Sequence, residues 1–428
     1  MTRVSRGTLA VCTVVFVTAL GIQTHNRNPA LAQGGRGGGQ GQLPDGPGRT
    51  LVQAACVACH NTGQIRGSAG YDKQGWHDLI STMVLLDKED MDLVTSYLAT
   101  NFPPRPGREP KLVPGDVQIE IKEWIVPTLG QRPRDPQQLK DGTIWWAGMY
   151  ASLLGQLNPA TGEMREYKLV ETARPHSMVA DTGGYIWYTG NGNATIGRLD
   201  PRTGEVTTFE MPDPAARDPH TLNFDQTGRL WFTLQNSNML GRLIPSTGEI
   251  RLITMPTEDA RPYGIQIDSK GVPWVAYNGA NKLARIDPET MAVREFATAT
   301  PETHIRRLAL ASDDTIYYVD SGRGYLGRFD PRTETFKEWP SPSGPESHPY
   351  AIAVVNDVVW YNESNQRPDA LVRFDPRTET FQSWAIPSGV GIIRNMRPTP
   401  DGNLVIHQSS SNRVGLVLIG GSTSAQSF

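Results

Sequence analysis

From Asp116 onward the chain alternates apolar and polar positions in short runs separated by Asp, Pro and Gly. An alternation of period two predicts half-buried β-strands. The runs "EVTTFEM", "DPHTLNFD", "GRLWFTL" and "MLGRLIP" follow one another in that order, and the order recurs along the chain. Upstream the period changes. "GWHDLISTMVLL" and "KEDMDLVTSYLATNF" place apolar residues three and four apart, which predicts two helices in a small unit over 49–102. The Gly-rich stretch 33–48 before this unit reads as a flexible tether, and the Pro-rich stretch 103–115 after it as a second linker.

The strand-rich region repeats. Its turn phrase appears as "LNPATG", "LDPRTG", "LIPSTG", "IDPETM", "FDPRTE" and "FDPRTE", with Thr161, Thr203, Thr247, Thr290, Thr333 and Thr378 spaced 42, 44, 43, 43 and 45 residues apart. A period in the low forties with several short strands per unit is that of a propeller blade. Asp and Pro open each turn, and Gly, where present, supplies the left-handed position that closes it. One aromatic recurs per blade on a middle strand (Trp145, Trp187, Trp231, Trp274, Tyr317, Trp360), which predicts packing between blades. Six turn phrases separate seven inner strands. The last unit lacks an outer strand, and "VQIEIKEWIV" before the first unit can supply it, so 116–420 is expected to be a seven-bladed propeller closed by its N-terminal strand. The fold class is therefore multidomain: a small all-α unit followed by an all-β propeller. Residues 421–428 form a tail.

Charge changes this picture little. Charged residues are 20% of the chain and the net charge is −3, which points away from nucleic acid and from a polybasic membrane surface. The first 32 residues have the form of a cleaved signal: Arg3 and Arg6, an apolar run too short to span a bilayer, then "ALA" before Gln33. The expectation is a periplasmic or otherwise exported protein with no membrane span in its mature form. Cys12 lies within the signal.

The other cysteines stand in "ACVACHNTG". Cys56, Cys59 and His60 form C-x-x-C-H, the attachment signature of haem c. Two thiols at this spacing reach the two vinyl groups of one haem, and the adjacent imidazole becomes the proximal iron ligand. A redox dithiol is the rival reading; a zinc site would need ligands that this segment lacks. Met83 is the leading candidate for the sixth iron ligand, placed at the end of the first helix, with Met91 and His77 as alternatives. On this motif and on the ending "YLATNFPP", 51–102 resembles a class I cytochrome c. The resemblance implies electron transfer and a redox partner protein.

The propeller resembles the virginiamycin B (streptogramin) lyase family. "RPHSMVADTGGYIWYTGNGNATIGRLDPRTG" and "DPHTLNFDQTGRLWFTLQNSNMLGRLIPSTG" carry its P-H-x-[IM], G-x-[IL]-W-[FY]-T and [IL]-G-R-L patterns over about seven tenths of the chain. The family's activity implies a histidine base and a Mg2+ held by glutamates, which together remove a proton alpha to a carbonyl and open a cyclic depsipeptide. The best match to that site is Glu346, His348 and Glu363, with Glu302 and His304 one blade earlier. The rival reading makes these polar residues partners of Arg306 and Arg394.

Aligning the blades puts Arg134, His176, His220, Tyr263, Arg306, Tyr350 and Arg394 at equivalent inner-strand positions. Gly148, Gly190, Leu234, Tyr277, Asp320, Glu363 and Gln408 are their companions on the next strand. His176 and His220 thus lack a carboxylate companion. Three arginines in the ring suggest an anionic small molecule or an acidic partner surface in the funnel. Three functions follow as expectations: a mono-haem electron-transfer protein with the propeller as ligand or partner platform, a Mg2+-dependent carbon-oxygen lyase, or a haem-linked oxidoreductase.

Overall fold

The computed structural model describes residues 42–57, 62–104, 106–389 and 391–420. Cys59 and His60, the signal, most of the Gly-rich tether and the tail lie outside the described residues.

The described strands form seven antiparallel sheets of four strands each. The third blade is typical, with Pro219–Phe224 innermost, then Leu230–Leu234, Met239–Ile244 and Glu249–Thr254 outward. The ring closes as the sequence predicts. Ile119–Ile125 pairs along its length with Arg413–Ile419, Ile119 opposite Ile419 and Ile125 opposite Arg413. This N-terminal strand is the outer strand of the seventh blade, so the sheet ring has no open seam.

The recurring aromatics do pack between blades. Trp187 stacks on Phe209 of its own blade at 5.5 Å and meets Phe224 of the next edge-on at 5.9 Å. The indole N–H is satisfied locally: Trp187, Trp231 and Trp274 donate to Asp181, Asp225 and Asp268 at 2.7, 2.9 and 3.0 Å. In the first, second, third and fifth blades the residue after the recurring aromatic pairs across the sheet with a glycine of the third strand. Trp146, Tyr188, Phe232 and Tyr318 lie flat across Gly155, Gly197, Gly241 and Gly327, where a Cβ would fall 2.0 to 2.2 Å from a ring atom. In the fourth blade the ring is replaced by Val275, and its cross-strand partner is Ala284. The left-handed turn position holds Gly162, Gly204 and Gly248, but also Met291, Glu334 and Glu379, at φ 64°, 57° and 56°.

The innermost strand of the seventh blade is reduced to Arg397–Pro398. Its upstream amides are taken by a side chain instead of a ladder. His407 Nε2 accepts from the Arg394 and Asn395 N–H groups, both at 3.1 Å, while Nδ1 donates to the Pro133 carbonyl of the first blade at 2.5 Å.

The helical unit contains α1 (Arg49–Ala55), α2 (Thr62–Gly67), α3 (Lys73–Ser81) and α4 (Lys88–Asn101). Asp72 and Asp87 cap α3 and α4, accepting from the Gly75 and Asp90 amides. α1 crosses α4 closely, since a Cβ on Gly48 would stand 2.9 Å from Tyr97 Cβ. Val52, Trp76, Leu79, Ile80, Val94 and Leu98 are buried between them. One expectation needs correction. α3 stops at Ser81, so Met83 lies beyond the helix, after the cap residue Thr82. The reason is a tertiary contact: the Thr82 carbonyl accepts from Gly130 of the propeller at 3.0 Å, and the Met83 amide tightens back to Ile80 at 2.8 Å.

The stretch after α4 is not a loose tether. Arg108 donates to the Ala69 carbonyl of the helical unit at 2.6 Å and to both the carbonyl and side chain of Asn365 in the sixth blade at 2.9 Å. Val113 and Ser383 exchange hydrogen bonds along the outer strand of that blade. Among the described residues no helix is long and apolar enough to cross a membrane.

Candidate functional site at the propeller axis

In an antiparallel blade the loops entering the first strand and joining the second to the third lie at the same end. Gly130 belongs to the first kind of loop and Asn365 to the second, so the helical unit sits at the end of the propeller where the inner strands begin. The ring residues begin those strands.

The register bears out the blade alignment. Pro133, Pro175, Pro219, Pro262, Ile305 and Pro349 pair with Gly148, Gly190, Leu234, Tyr277, Asp320 and Glu363, and a register shift follows directly at the last five and after Arg134, still paired with Ala147, in the first. The residue after each of the last five, from His176 to Tyr350, therefore lies in a bulge, which re-aims its side chain, and Arg134 borders one.

The seven ring residues converge. The rings of His176 and His220 are 3.7 Å apart, and His220 is 4.1 Å from Tyr263. Tyr263 and Tyr350 share a hydrogen bond of 2.5 Å. Arg394 donates to the Tyr350 oxygen at 3.2 Å, and Arg306 lies 4.4 Å from the Tyr350 ring centre. Burial pushes the Tyr350 phenol up, but Arg394, Arg306 and Arg134 outweigh it and hold it well below its ordinary value. Tyr263, which burial and Tyr350 push the other way, is then the donor of the shared hydrogen bond. Burial, followed by Arg132 and Arg394, lowers Arg134 to about 9. Burial is also the main cause that keeps His176 and His220 neutral, well below the ordinary imidazole value.

The sequence alignment missed several residues of this cluster. Arg307, one position past the ring, is buried against Asp135 at 3.2 Å. Arg132 lies 4.7 Å over Tyr150 and donates to its hydroxyl. A signal for the outer members was present: Arg-Pro precedes the ring position at Arg132, Arg174 and Arg261.

The acidic candidates do not face the axis. Glu363 is fully buried and accepts from the Ser341 hydroxyl at 2.6 Å and from the Ser343 amide at 2.8 Å, with the Ser343 hydroxyl on its other oxygen. Glu346 and Glu302 are exposed. His348 is 2.9 Å from the Ser364 hydroxyl, and His304 donates to the Asn278 carbonyl at 3.1 Å. Asp320 caps its own loop, accepting from the Arg323 side chain and the His304 amide. Arg306 and Arg394 thus turn to tyrosines rather than to these carboxylates. No group of three or more His, Cys, Asp or Glu suited to a metal occurs among the described residues. Glu346, His348 and Glu363 do not fit a Mg2+ site in this arrangement.

The haem candidates are only partly within view. Cys56 follows α1 and packs, partly buried, against the same core as Met83. Trp76 Nε1 in that core is buried with no acceptor. Of the alternative ligands, Met91 is buried and His77 is exposed beside Asp78. Cys56 and Met83 thus share one core, in which the Trp76 N–H is a buried donor without an acceptor.

Residues 114–366 match the virginiamycin B lyase family. The chain belongs to that family. Solved structures of similar fold include a streptogramin B lyase, 22% identical with TM-score 0.63 over 70% of this chain and 98% of that one. They also include the virginiamycin B lyase of Staphylococcus aureus, 21% identical with the same score over 70% and 99%. A catalytically inactive variant of the latter with quinupristin matches equally, at 21%, 0.63, 70% and 99%. At these identities the likeness shows the fold. No curated protein matches the chain. This family member keeps the propeller and places arginines and tyrosines at its axis.

Proposed function

We propose that the chain is an exported mono-haem electron-transfer protein whose lyase-type propeller serves as the platform that holds the haem unit and receives a ligand or partner. Cys56 and Cys59 would hold the haem, with His60 and Met83 as axial ligands. The observation that carries this reading is the seating of the helical unit: the segment bearing Met83 is bonded to Gly130 at the entrance of the first blade. When bound, haem c supplies one-electron transfer, and His/Met ligation favours a raised potential. The chain's own residues orient it and expose it. Val57, next to Cys56, and Leu85, two residues past Met83, are 38% and 84% exposed and offer an apolar rim to a redox partner.

The family favours a second reading, lyase activity, but Glu346, His348 and Glu363, which would hold its metal, are not assembled into a metal site. A haem-linked oxidoreductase would further need a substrate near the haem.

The test is spectroscopic. In protein matured with haem, the reduced form is expected to show a c-type alpha band that disappears in Cys59→Ala. Met83→Ala should keep the covalent haem and lower its midpoint potential. A colourless folded preparation would overturn the reading, and an unchanged potential in Met83→Ala would remove Met83 from it.

A further inference from the structure

Several guanidinium groups converge on the end of the axis where the inner strands begin, with too few acceptors for their donors. Arg134 is 1% exposed. Its Nε and Nη1 hydrogens have no acceptor, and Nη2 reaches only the Met149 sulfur at 3.6 Å. Arg394 spends Nη1 on Tyr350 and leaves Nε buried and unpaired. Arg306 gives Nε to Ser321 at 3.1 Å and lies over two tyrosine rings. The carboxylate nearby, Asp135, gives Oδ1 to Arg307 at 3.2 Å, and its Oδ2 is buried without a partner, one acceptor oxygen against several unpaired guanidinium donors. Unsatisfied buried donors on a cation are costly, and a guanidinium pays that cost back most completely on an oxyanion, which accepts two parallel hydrogen bonds from its fork.

The approach to this cluster carries the same sign. Arg132, Arg174 and Arg261 each stand two positions before a ring residue, all with left-handed backbone (φ 56°, 42° and 52°). Meanwhile three acidic groups at this end are engaged elsewhere: Asp218 accepts from the Asn236 and Ser237 amides, Asp320 from Arg323, and Glu363 from two serines. Such a collar draws anions toward the axis.

We propose that the propeller axis is a binding site for a small, multiply charged oxyanion, gripped by Arg134, Arg306 and Arg394 beside Tyr350. Inorganic phosphate or sulfate and a polycarboxylate share this chemistry. The site stands on the propeller's own residues and does not depend on the haem.

Calorimetric titration of the full chain with phosphate, sulfate and citrate at constant ionic strength tests it. One saturable site is expected for at least one of the three. Saturation by phosphate or sulfate identifies an inorganic oxyanion, and saturation by citrate alone a polycarboxylate. Arg306→Gln and Arg394→Gln, at partly buried positions, should each weaken binding at least tenfold, with melting curves checking that both variants fold. Arg261→Gln should weaken it less, and only at low salt. The proposal is overturned if none of the three anions saturates, or if affinity is unchanged in Arg306→Gln and Arg394→Gln. Binding retained in Cys59→Ala without haem would leave the anion site standing when the haem reading fails.

Discussion

His176, His220 and His407 illustrate how much one imidazole can do when it is buried neutral. All three are fully buried and held well below their ordinary value, burial being the main cause and Arg134 a contributor to each. A histidine in the unfolded chain titrates near about 6.5. Below that pH the unfolded chain binds protons that the folded one refuses, so stability is complete above about 6.5 and is lost as pH falls toward the folded values. Each histidine adds a slope of at most about 1.4 kcal/mol per pH unit. Urea unfolding at pH 7 and pH 5.5 should show this loss, and His220→Asn should make it shallower; equal slopes in the variant and the parent would contradict the assignment. His176 and His220 were visible in the sequence because they head two well-aligned repeats. Their role was not: the alignment already put Gly190 and Leu234 where a carboxylate would stand, but only the folded ring buries the two imidazoles and brings them 3.7 Å apart. Arg307 was invisible for a related reason: a bulge changes which of two adjacent arginines faces inward, and alternation alone cannot place a bulge.

At the scale of elements, the blade is written in pairs. In four blades an aromatic on one strand lies over a glycine on the next, because the ring occupies the space of the missing Cβ, while in the sixth Tyr361 faces Val372. Gly197→Ala should cost about 2 kcal/mol or more through overpacking against Tyr188. In the fourth blade Val275 and Ala284 solve the same contact differently. The cost of Gly197→Ala should therefore shrink in a Tyr188→Val background, a coupling read by a double-mutant cycle of unfolding free energies. Additive costs would count against the pairing. The turn phrases made the blades legible, and the orphan strand "VQIEIKEWIV" made their closure legible. The end of α3 was misplaced by two residues because the contact that stops it, Gly130 on Thr82, joins positions far apart in sequence. The short inner strand of the seventh blade was hidden likewise, since a histidine side chain does the work of a ladder there.

At the scale of the whole molecule, the helical unit is fixed rather than tethered. Gly130, Arg108 and Asn365 tie it to the first and sixth blades, and the Arg367 guanidinium lies 5.4 Å from the Tyr71 ring. The Pro-rich stretch, read from composition as a linker, is bonded along the sixth blade because the backbone of Lys111 and Val113 finds Ser383, and Val117 just beyond it finds Gln382. This placement sets the helical unit at the same end of the propeller as the arginine cluster. The most direct test is the intact mass of the full chain produced with and without a haem-attachment system. The account predicts one covalent haem per chain, lost when both Cys56 and Cys59 are replaced by alanine, with the propeller still folded. A chain that folds fully under haem-attaching conditions yet carries no added mass would contradict it.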